Sequence, residues 1–436
     1  MSVLTHEKLS AAVAGDAVAI RCRTRLQPAA GPGTKVFPPT HAGGVYATEK
    51  RRLPDRAEPV DCVLLDSVQS QANRIEDALQ EAVDRGLIKI PLLVVEFGDQ
   101  IADVQRVTSL QAPHRAADAI LRDSLIDGQP FRKSKIGQAI TDSGISNATS
   151  LFCYCPHALI LGVWDSTGPK GGLGAKFARA LVSEIVGIDA SFGRRTGSRL
   201  DPLQVKTSAG PLYAKDTERF GGIEWTLDPA EAVIDKKTKQ PVLFSRGNVA
   251  TGSPGDPAKA NHSNIPPSFS KYAKGAEGVD PLTGGEARQG AIAAGGVTVE
   301  YAEHTAVLSL PQLRRLRFPI DGKLDPKIDD AARTVLAALA LVGLTLSIER
   351  GADLRSRCLL FQEEELRFEL LATPGKPEQF TLTSAQAIEL LNKSVDAATR
   401  AGLPWETKPV KLTPSPELIA LVKKSQELAK AGEEEE

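Results

Sequence analysis

Residues 62–85 read CVLLDSVQSQANRIEDALQEAVDR, an apolar run that ends at Asp66 and passes at once into a helical pattern. On a 3.6-residue repeat Val68, Ala72, Ile75, Leu79 and Val83 fall on one stripe, so the segment predicts a strand followed by an amphipathic helix packed on a core. Ser67, Gln71 and Arg74 line a neighbouring stripe, where a solvated face would ordinarily carry Lys and Glu. Asp66 or Ser67 as N-cap explains the helix start in purely structural terms. The same side-chain donors, with free backbone N–H groups and the helix dipole, also suit an anion such as phosphate.

Working outward, residues 17–26 (AVAIRCRTRL) alternate, with Arg21, Arg23 and Arg25 on one strand face and Ile20, Cys22 and Leu26 on the other. Arginines grouped in this way call for anions or protect a solvent-exposed edge strand. The stretch 28–60 is rich in Pro and Gly and too long for an ordinary connection, which marks a candidate functional loop. Residues 18–60 are distinctly basic, with Arg21, Arg23, Arg25, Lys35, Lys50, Arg51, Arg52 and Arg56 against Glu49, Asp55 and Glu58. The whole chain of 436 residues has a formal net charge of −1, so any nucleic-acid surface must be a local patch.

A hydrophobic content of 42% supports a buried core and excludes disorder of the whole chain, and the length predicts two to three domains, or one domain with large insertions. No run approaches the ~18 consecutive apolar residues of a membrane span, and Glu7 interrupts the apolar core that a signal peptide would need. Five cysteines without CxxC pairs fit free thiols in a reducing compartment, so a cytoplasmic protein is expected. Cys153, Cys155 and His157 lie at i, i+2 and i+4 in LFCYCPHALILGVW, which reads as strand and turn. That spacing suits core residues better than a structural metal site.

Residues 164–187 (WDSTGPKGGLGAKFARALVSEIVG) predict a glycine-rich loop running into a helix near Gly174. A Walker A motif fails because Ala175, Lys176 and Phe177 follow Gly174, and the dinucleotide pattern GxGxxG fails at Phe177. What remains is close backbone approach at the glycines, with positive charge from Lys170, Lys176 and Arg179. Further on, HRAADAILRDSLI (114–126) looks helical and LIKIPLLVVEF strand-like. From 188 to 296 the chain becomes Gly-, Pro- and Ser-rich, with a hairpin expected to turn at Lys236–Lys239. A long apolar helix is predicted over 326–346, strands through LRSRCLLFQEEELRFELL, and a helix from Ser384 that stops at Gly402.

Taken in order, GGVY (43–46), LDSVQSQANRIEDAL (65–79), APHR (112–115), GVWDS with PKGGLGAKFARALVSEIVG (162–187) and LRSRC (354–358) resemble the backbone subunit of type I-G (formerly I-U) CRISPR interference complexes, the Cascade assemblies, within the RAMP proteins. The resemblance spans most of residues 15–400 and is weakest in the middle insertion. It implies an α+β chain with a ferredoxin-like, RRM-type palm and long insertions acting as thumb and fingers. The corresponding division is 1–187 and 297–403 for the two parts of the palm, 188–296 for the thumb and finger region, and 404–436 for a flexible tail.

The implied function is binding of the guide RNA (crRNA) by copies stacked head to tail along the spacer, presenting bases to a target DNA strand beside other Cascade subunits in antiviral defence. No cofactor, metal or membrane is implied. RNA-backbone contacts carried over by the resemblance are Arg21, Arg23, Lys50, Arg51, Ser67, Gln69, Ser70, Gln71 and Arg74, then His114, Arg115, Lys170, Lys176 and Arg179. Arg194, Arg195 and Arg199 form a third group in the thumb. With aromatics at 5% and no RNP motif, affinity is expected to come from phosphate contacts more than from stacking. The competing reading is a RAMP-type endoribonuclease using Asp66 and His114. It lacks a visible pairing of acid and base, so a non-catalytic subunit is expected.

Overall fold

The computed structural model describes residues 2–101, 104–168, 175–246 and 252–431. The chain divides into two compact units, one of Met1–Pro39, Glu49–Ala190 and Thr298–Glu436, the other of Thr40–Thr48 and Ser191–Val297.

In the first unit, the alternation seen in sequence makes a ten-residue strand, β1 (Ala19–Pro28), with Ile20, Cys22, Thr24 and Leu26 buried and Arg23 and Arg25 exposed. It is a central strand rather than an edge strand. On one side it pairs antiparallel with β5 (Tyr301–Ser309), which pairs antiparallel with β4 (Leu181–Ile188), and that in turn pairs with β3 (Val60–Asp66), flanked by β2 (Thr48–Arg51). On its other side β1 pairs with β7 (Cys358–Gln362) and β8 (Phe368–Thr373); β6 (Ala352–Arg355) joins β7, and β9 (Lys376–Thr381) joins β8.

Helix α2 (Val68–Asp84) lies in sequence between β1 and β4, and α3 (Pro326–Glu349) between β5 and β8. Helix α1 (His6–Ala14) precedes them and α4 (Ser384–Arg400) follows. All four share one apolar core with the inward residues of the sheet. Ser67 caps α2, its Oγ accepting from the Ser70 N–H at 3.2 Å, and the expected stripe buries Ala72, Ile75 and Leu79. A capping box at Thr383 and Gln386 starts α4, and Gly402 at φ +91° follows its end.

Helix α3 is the hub of this core. By length and composition it could cross a membrane, yet 78% of that apolar window is buried inside the protein, against α1, α2 and α4. Burial of a Leu or Val side chain contributes about 1.5–3 kcal/mol, and Val335, Leu336, Leu339, Leu341 and Leu344 are all buried there. At Gly343 an added Cβ would stand 2.7 Å from Ile75 Cγ2 and 3.3 Å from Leu79 Cδ1, so the glycine allows α3 to approach the stripe of α2.

Several expectations are corrected. Residues 181–188 form strand β4, not a helix after Gly174. Val182, Ile185, Val186 and Ile188 are β-branched, and strands on both sides satisfy the backbone. Residues 149–161 form two short helices, Thr149–Tyr154 and His157–Leu161, not a strand. Leu151–Cys153 and Cys155–Leu161 are all buried, so the segment has no polar face from which a period could be read. Within 114–126 only Ala119–Arg122 is α-helical, and Ser124–Ile126 is a strand. Among the described residues, 404–431 are not a flexible tail: Val410–Pro414 pairs with Leu93–Glu96 and Ser124–Ile126 inside a second, five-stranded sheet, and Pro416–Ala431 is helical. The Trp405 ring centroid lies 5.2 Å from that of Phe152.

The second unit has short paired strands, Thr196–Arg199 with Ile265–Phe269 and Tyr213–Ala214 with Trp225–Thr226, and a small core of Val45, Tyr272, Ala287 and Ala293. The expected turn is present, with Asp235 Oδ1 accepting from the N–H groups of Lys237 at 2.9 Å and Thr238 at 2.7 Å, and Lys239 at φ +59°.

Replacing Gly343 by Val should lower the stability of the protein by about 1–3 kcal/mol through overpacking between α2 and α3. The denaturant midpoint by circular dichroism checks this, and a midpoint equal to wild type would mean that the two helices do not pack this closely.

Candidate nucleic-acid interface

The outward face of β1 carries Arg21, Arg23 and Arg25 in a row, and each meets a group from a neighbouring strand. Arg21 Nε donates to Glu369 of β8 at 2.8 Å, and Arg23 Nε to Glu303 of β5 at 2.6 Å. The guanidinium of Arg25 stands 4.3 Å from the ring centroid of Tyr301. Further across the same sheet Arg51 donates to Glu184 at 3.2 Å and also pairs with Glu49, while Lys50 reaches Asp61 at 2.9 Å. Arg23 and Lys50 remain 53% and 66% exposed despite their partners. These are solvent-screened pairs, each contributing only about 0–1 kcal/mol.

At the start of α2 the donors converge, but on an internal anion. Asp66, fully buried, receives Ser70 Oγ at 2.8 Å, Gln71 Nε2 at 2.6 Å, Arg74 Nε at 2.9 Å and Arg355 at 3.3 Å. Arg74 also donates to the carbonyls of Asp353 at 3.1 Å and Leu354 at 2.6 Å, tying the helix to β6. Ser183 Oγ donates to Gln71 Oε1 at 2.9 Å, which leaves that hydroxyl to accept from His304 Nε2–H at 2.8 Å. Burial pushes His304 down to about 4, so it is neutral at physiological pH. Asp66 is therefore not the helix cap, a role taken by Ser67, and it is a closed hub rather than an open site.

The remaining expected contacts divide. Gln69 and His114 are exposed; Gln71 is buried with both ends of its amide occupied. Arg115 is also buried, fixed at φ +53°, donating twice to Glu76 at 2.7 and 2.9 Å and once to the Gly162 carbonyl at 3.0 Å. Burial raises Glu76 to about 7, opposed by the Arg115 charge. Gln71 and Arg115 are corrected as surface contacts, because their polar groups are engaged inside the protein. Arg179 donates to the Val68 carbonyl at 2.9 Å, and burial lowers its pKa. The Lys176 ammonium lies 5.0 Å from the ring centroid of Trp164, and Lys170 lies outside the described residues.

In the second unit Arg194 stands 5.4 Å from the Phe269 ring centroid. Arg195 is half-buried, its backbone bonded to Ala293 and Ser270. Arg199 clamps the loop at 261–263, donating to Asn261 Oδ1 at 3.1 Å and to the carbonyls of Ser263 at 3.0 Å and His262.

Cys155 and His157 are buried together, Sγ 3.4 Å from Nε2, and burial pushes the thiol up to about 12 and the imidazole down to about 3. Both are neutral core groups. Among the described residues no cluster of His, Cys, Asp or Glu could hold a metal. The reading of the residues left Arg355, the fourth partner of Asp66, unassigned; its only signal was its place in LRSRC.

Residues 20–192, less than half of the chain, match the family model described as CRISPR-associated protein GSU0053, so over that stretch the chain is similar to CRISPR-associated proteins. No curated protein matches the chain.

Asp66→Ala should cost about 3–5 kcal/mol, since it leaves Arg74 and Arg355 without their buried partner. Urea unfolding checks this, and a loss below about 1 kcal/mol would mean the hub is not structural. His304 supplies a pH dependence. Its folded pKa is depressed, so below 6.5 the unfolded chain takes up a proton that the folded chain refuses, and stability falls from pH 6.5 towards pH 4. His304→Gln should flatten that fall in the unfolding midpoint, and an unchanged pH profile would rule it out as a contributor.

Proposed function

We propose that this protein is the guide-RNA-binding backbone subunit of a type I-G CRISPR interference complex, with the sheet of the first unit as its palm. The supporting fold observation is the antiparallel order β8–β1–β5–β4, with α2 crossing from β1 to β4 and α3 from β5 to β8. That strand order is the one a ferredoxin-like, RRM-type sheet would have, with β2 and β3 inserted between β1 and α2 and further elements between α2 and β4, and it supports the reading. The family match supports the setting.

The observation that carries the reading is the arginine row on the outward face of β1. Guanidinium groups positioned by single carboxylates, in pairs contributing only about 0–1 kcal/mol each, can exchange those partners for phosphates at small cost. None of these contacts reads a base, so binding is independent of sequence, as a subunit repeated along a variable spacer requires. Arg21, Arg23, Lys50 and Arg51 on the sheet, with the exposed Gln69 and with Lys176, are the proposed contacts in this unit. Arg194 and Arg195 are those of the second unit, the proposed thumb. The partners in this reading are crRNA, the target DNA strand, further copies of the chain and other Cascade subunits, in the cytoplasm and without catalysis by this subunit. The enclosure of Asp66 by four side-chain donors supports a binding role over a ribonuclease that uses its carboxylate.

Full-length protein should bind unrelated single-stranded RNAs with similar affinity. Because each phosphate contact adds about 0.7 to the slope of log K against log salt, the double variant Arg21→Ala, Arg23→Ala should lose about 1.4 of that slope. Fluorescence anisotropy from 50 to 300 mM salt reads both quantities. An unchanged affinity and slope in the double variant would sink the palm assignment.

A further inference from the structure

Few aromatic residues are available to this chain, yet two stand on the arginine-bearing face: Tyr301, buried beneath Arg25, and Phe361, which is exposed. In the register between β1 and β7, Gln27 is opposite Phe361, and residues opposite one another in a ladder share a face. Arg25, Arg23 and Arg21 follow Gln27 at two-residue steps and therefore lie on that same face. Along β7 the alternation is sharp. Cys358 and Leu360 are buried, whereas Leu359 is 50% and Phe361 73% exposed. A Phe this exposed has left most of its apolar area in water, although the strand that bears it is anchored on its other face.

The geometry points to Phe361 as a stacking platform for one base of a single-stranded RNA whose phosphates run along the arginine row. The inference rests on the RNA-binding reading and adds an aromatic contact to it. Arg25 is the diagonal neighbour of Phe361 across the ladder, about 7–8 Å away between backbones. Its guanidinium lies over Tyr301, which favours donation from its in-plane N–H edge. A base on the Phe361 ring and a phosphate at Arg25 are thus compatible with one strand of nucleic acid. The face also carries Glu303, Glu369 and Glu184. They disfavour an acidic peptide there, and each holds an arginine in place until a phosphate replaces it. Stacking is tolerant of sequence because every base has a π-face, so this contact preserves the indifference to sequence of the phosphate contacts.

The test uses the full chain and a single-stranded RNA with 2-aminopurine at successive positions. Phe361→Ala should weaken binding about 5- to 150-fold, the range for loss of one base–aromatic stack, with the salt slope unchanged because no phosphate contact is removed. Phe361→Trp should restore affinity, and its indole fluorescence should be quenched on RNA binding. Circular dichroism confirms folding of both variants. If wild type binds RNA with a steep salt slope and Phe361→Ala binds equally well, the stacking inference fails and the RNA-binding reading stands. If wild type binds no single-stranded RNA, the reading fails and takes the inference with it. A changed oligomeric state with unchanged RNA affinity would identify the ring as a protein contact and overturn the proposal.

Discussion

The carboxylate of Asp66 is the constraint on which the first unit is arranged. A fully buried carboxylate is tolerated only when its lone pairs are taken by strong donors, and here four side chains supply them, three from α2 and one from the end of β6. Arg74 extends the same network to two backbone carbonyls of β6, so the end of β3, the first turn of α2 and β6 are held to one another. With α2 fixed, its apolar stripe meets α3 at Gly343 and the helices close one face of the sheet. The opposite face is left to the arginines of β1. The anion that the helix start attracts is therefore one the protein carries itself, and charge available to an external phosphate is displaced to the sheet.

That displacement explains how a chain of net charge −1 can still group basic residues on one face of a sheet. Glu303 and Glu369 neutralise Arg23 and Arg21 in the free protein, which limits self-repulsion on a crowded strand and keeps the guanidinium groups extended over the sheet. The guanidinium sides of these pairs are open to water, Arg23 53% and Arg21 37% exposed, while the carboxylates are half-buried, so water screens the pairs in part. A buried pair such as Arg115 with Glu76 differs in kind. Both partners are enclosed, the geometry is bidentate, and exchange with an external anion would leave a carboxylate without compensation. Burial, more than residue type, separates exchangeable arginine pairs from structural ones in this fold.

The difference between what was legible in the sequence and what was not follows the same division. Strand β1, helix α2 and helix α4 were readable because each has one wet face and one dry face, and the period of that contrast fixes the element. The helices of 149–161 were misread because they are enclosed, and β4 because Val182 and Glu184 alone mark its outward face; an element with little polar face carries little period. The strand Val410–Pro414 is short and gains its structure from Leu93–Glu96, more than 300 residues earlier. The site was half legible for the same reason. Basic residues on β1 and polar ones on α2 are local facts, but Glu303, Glu369, Arg355 and His304 reach them only through tertiary pairing. The saturation of Gln71 by Asp66 and Ser183, and of Arg115 by Glu76 and the Gly162 carbonyl, likewise emerges only from the fold.

The second unit holds itself together by other means. Its cluster of Val45, Tyr272, Ala287 and Ala293 is small, while Leu200 and Leu203 are 88% and 75% exposed. What fixes its loops is local bonding from aspartates. Asp201 accepts from the N–H groups of Ser263 at 2.7 Å and Leu203 at 3.0 Å, and Asp280 from Tyr272 Oη at 3.0 Å and the Leu282 N–H at 3.1 Å. Such bonds satisfy backbone groups that no ladder reaches, and they replace the periodic patterns by which helices and strands announce themselves. Arg199 belongs to this scaffold, since it donates to Asn261, His262 and Ser263. Arg194, exposed and with its guanidinium carbon 5.4 Å from the Phe269 ring centroid, is not tied into that scaffold in the same way.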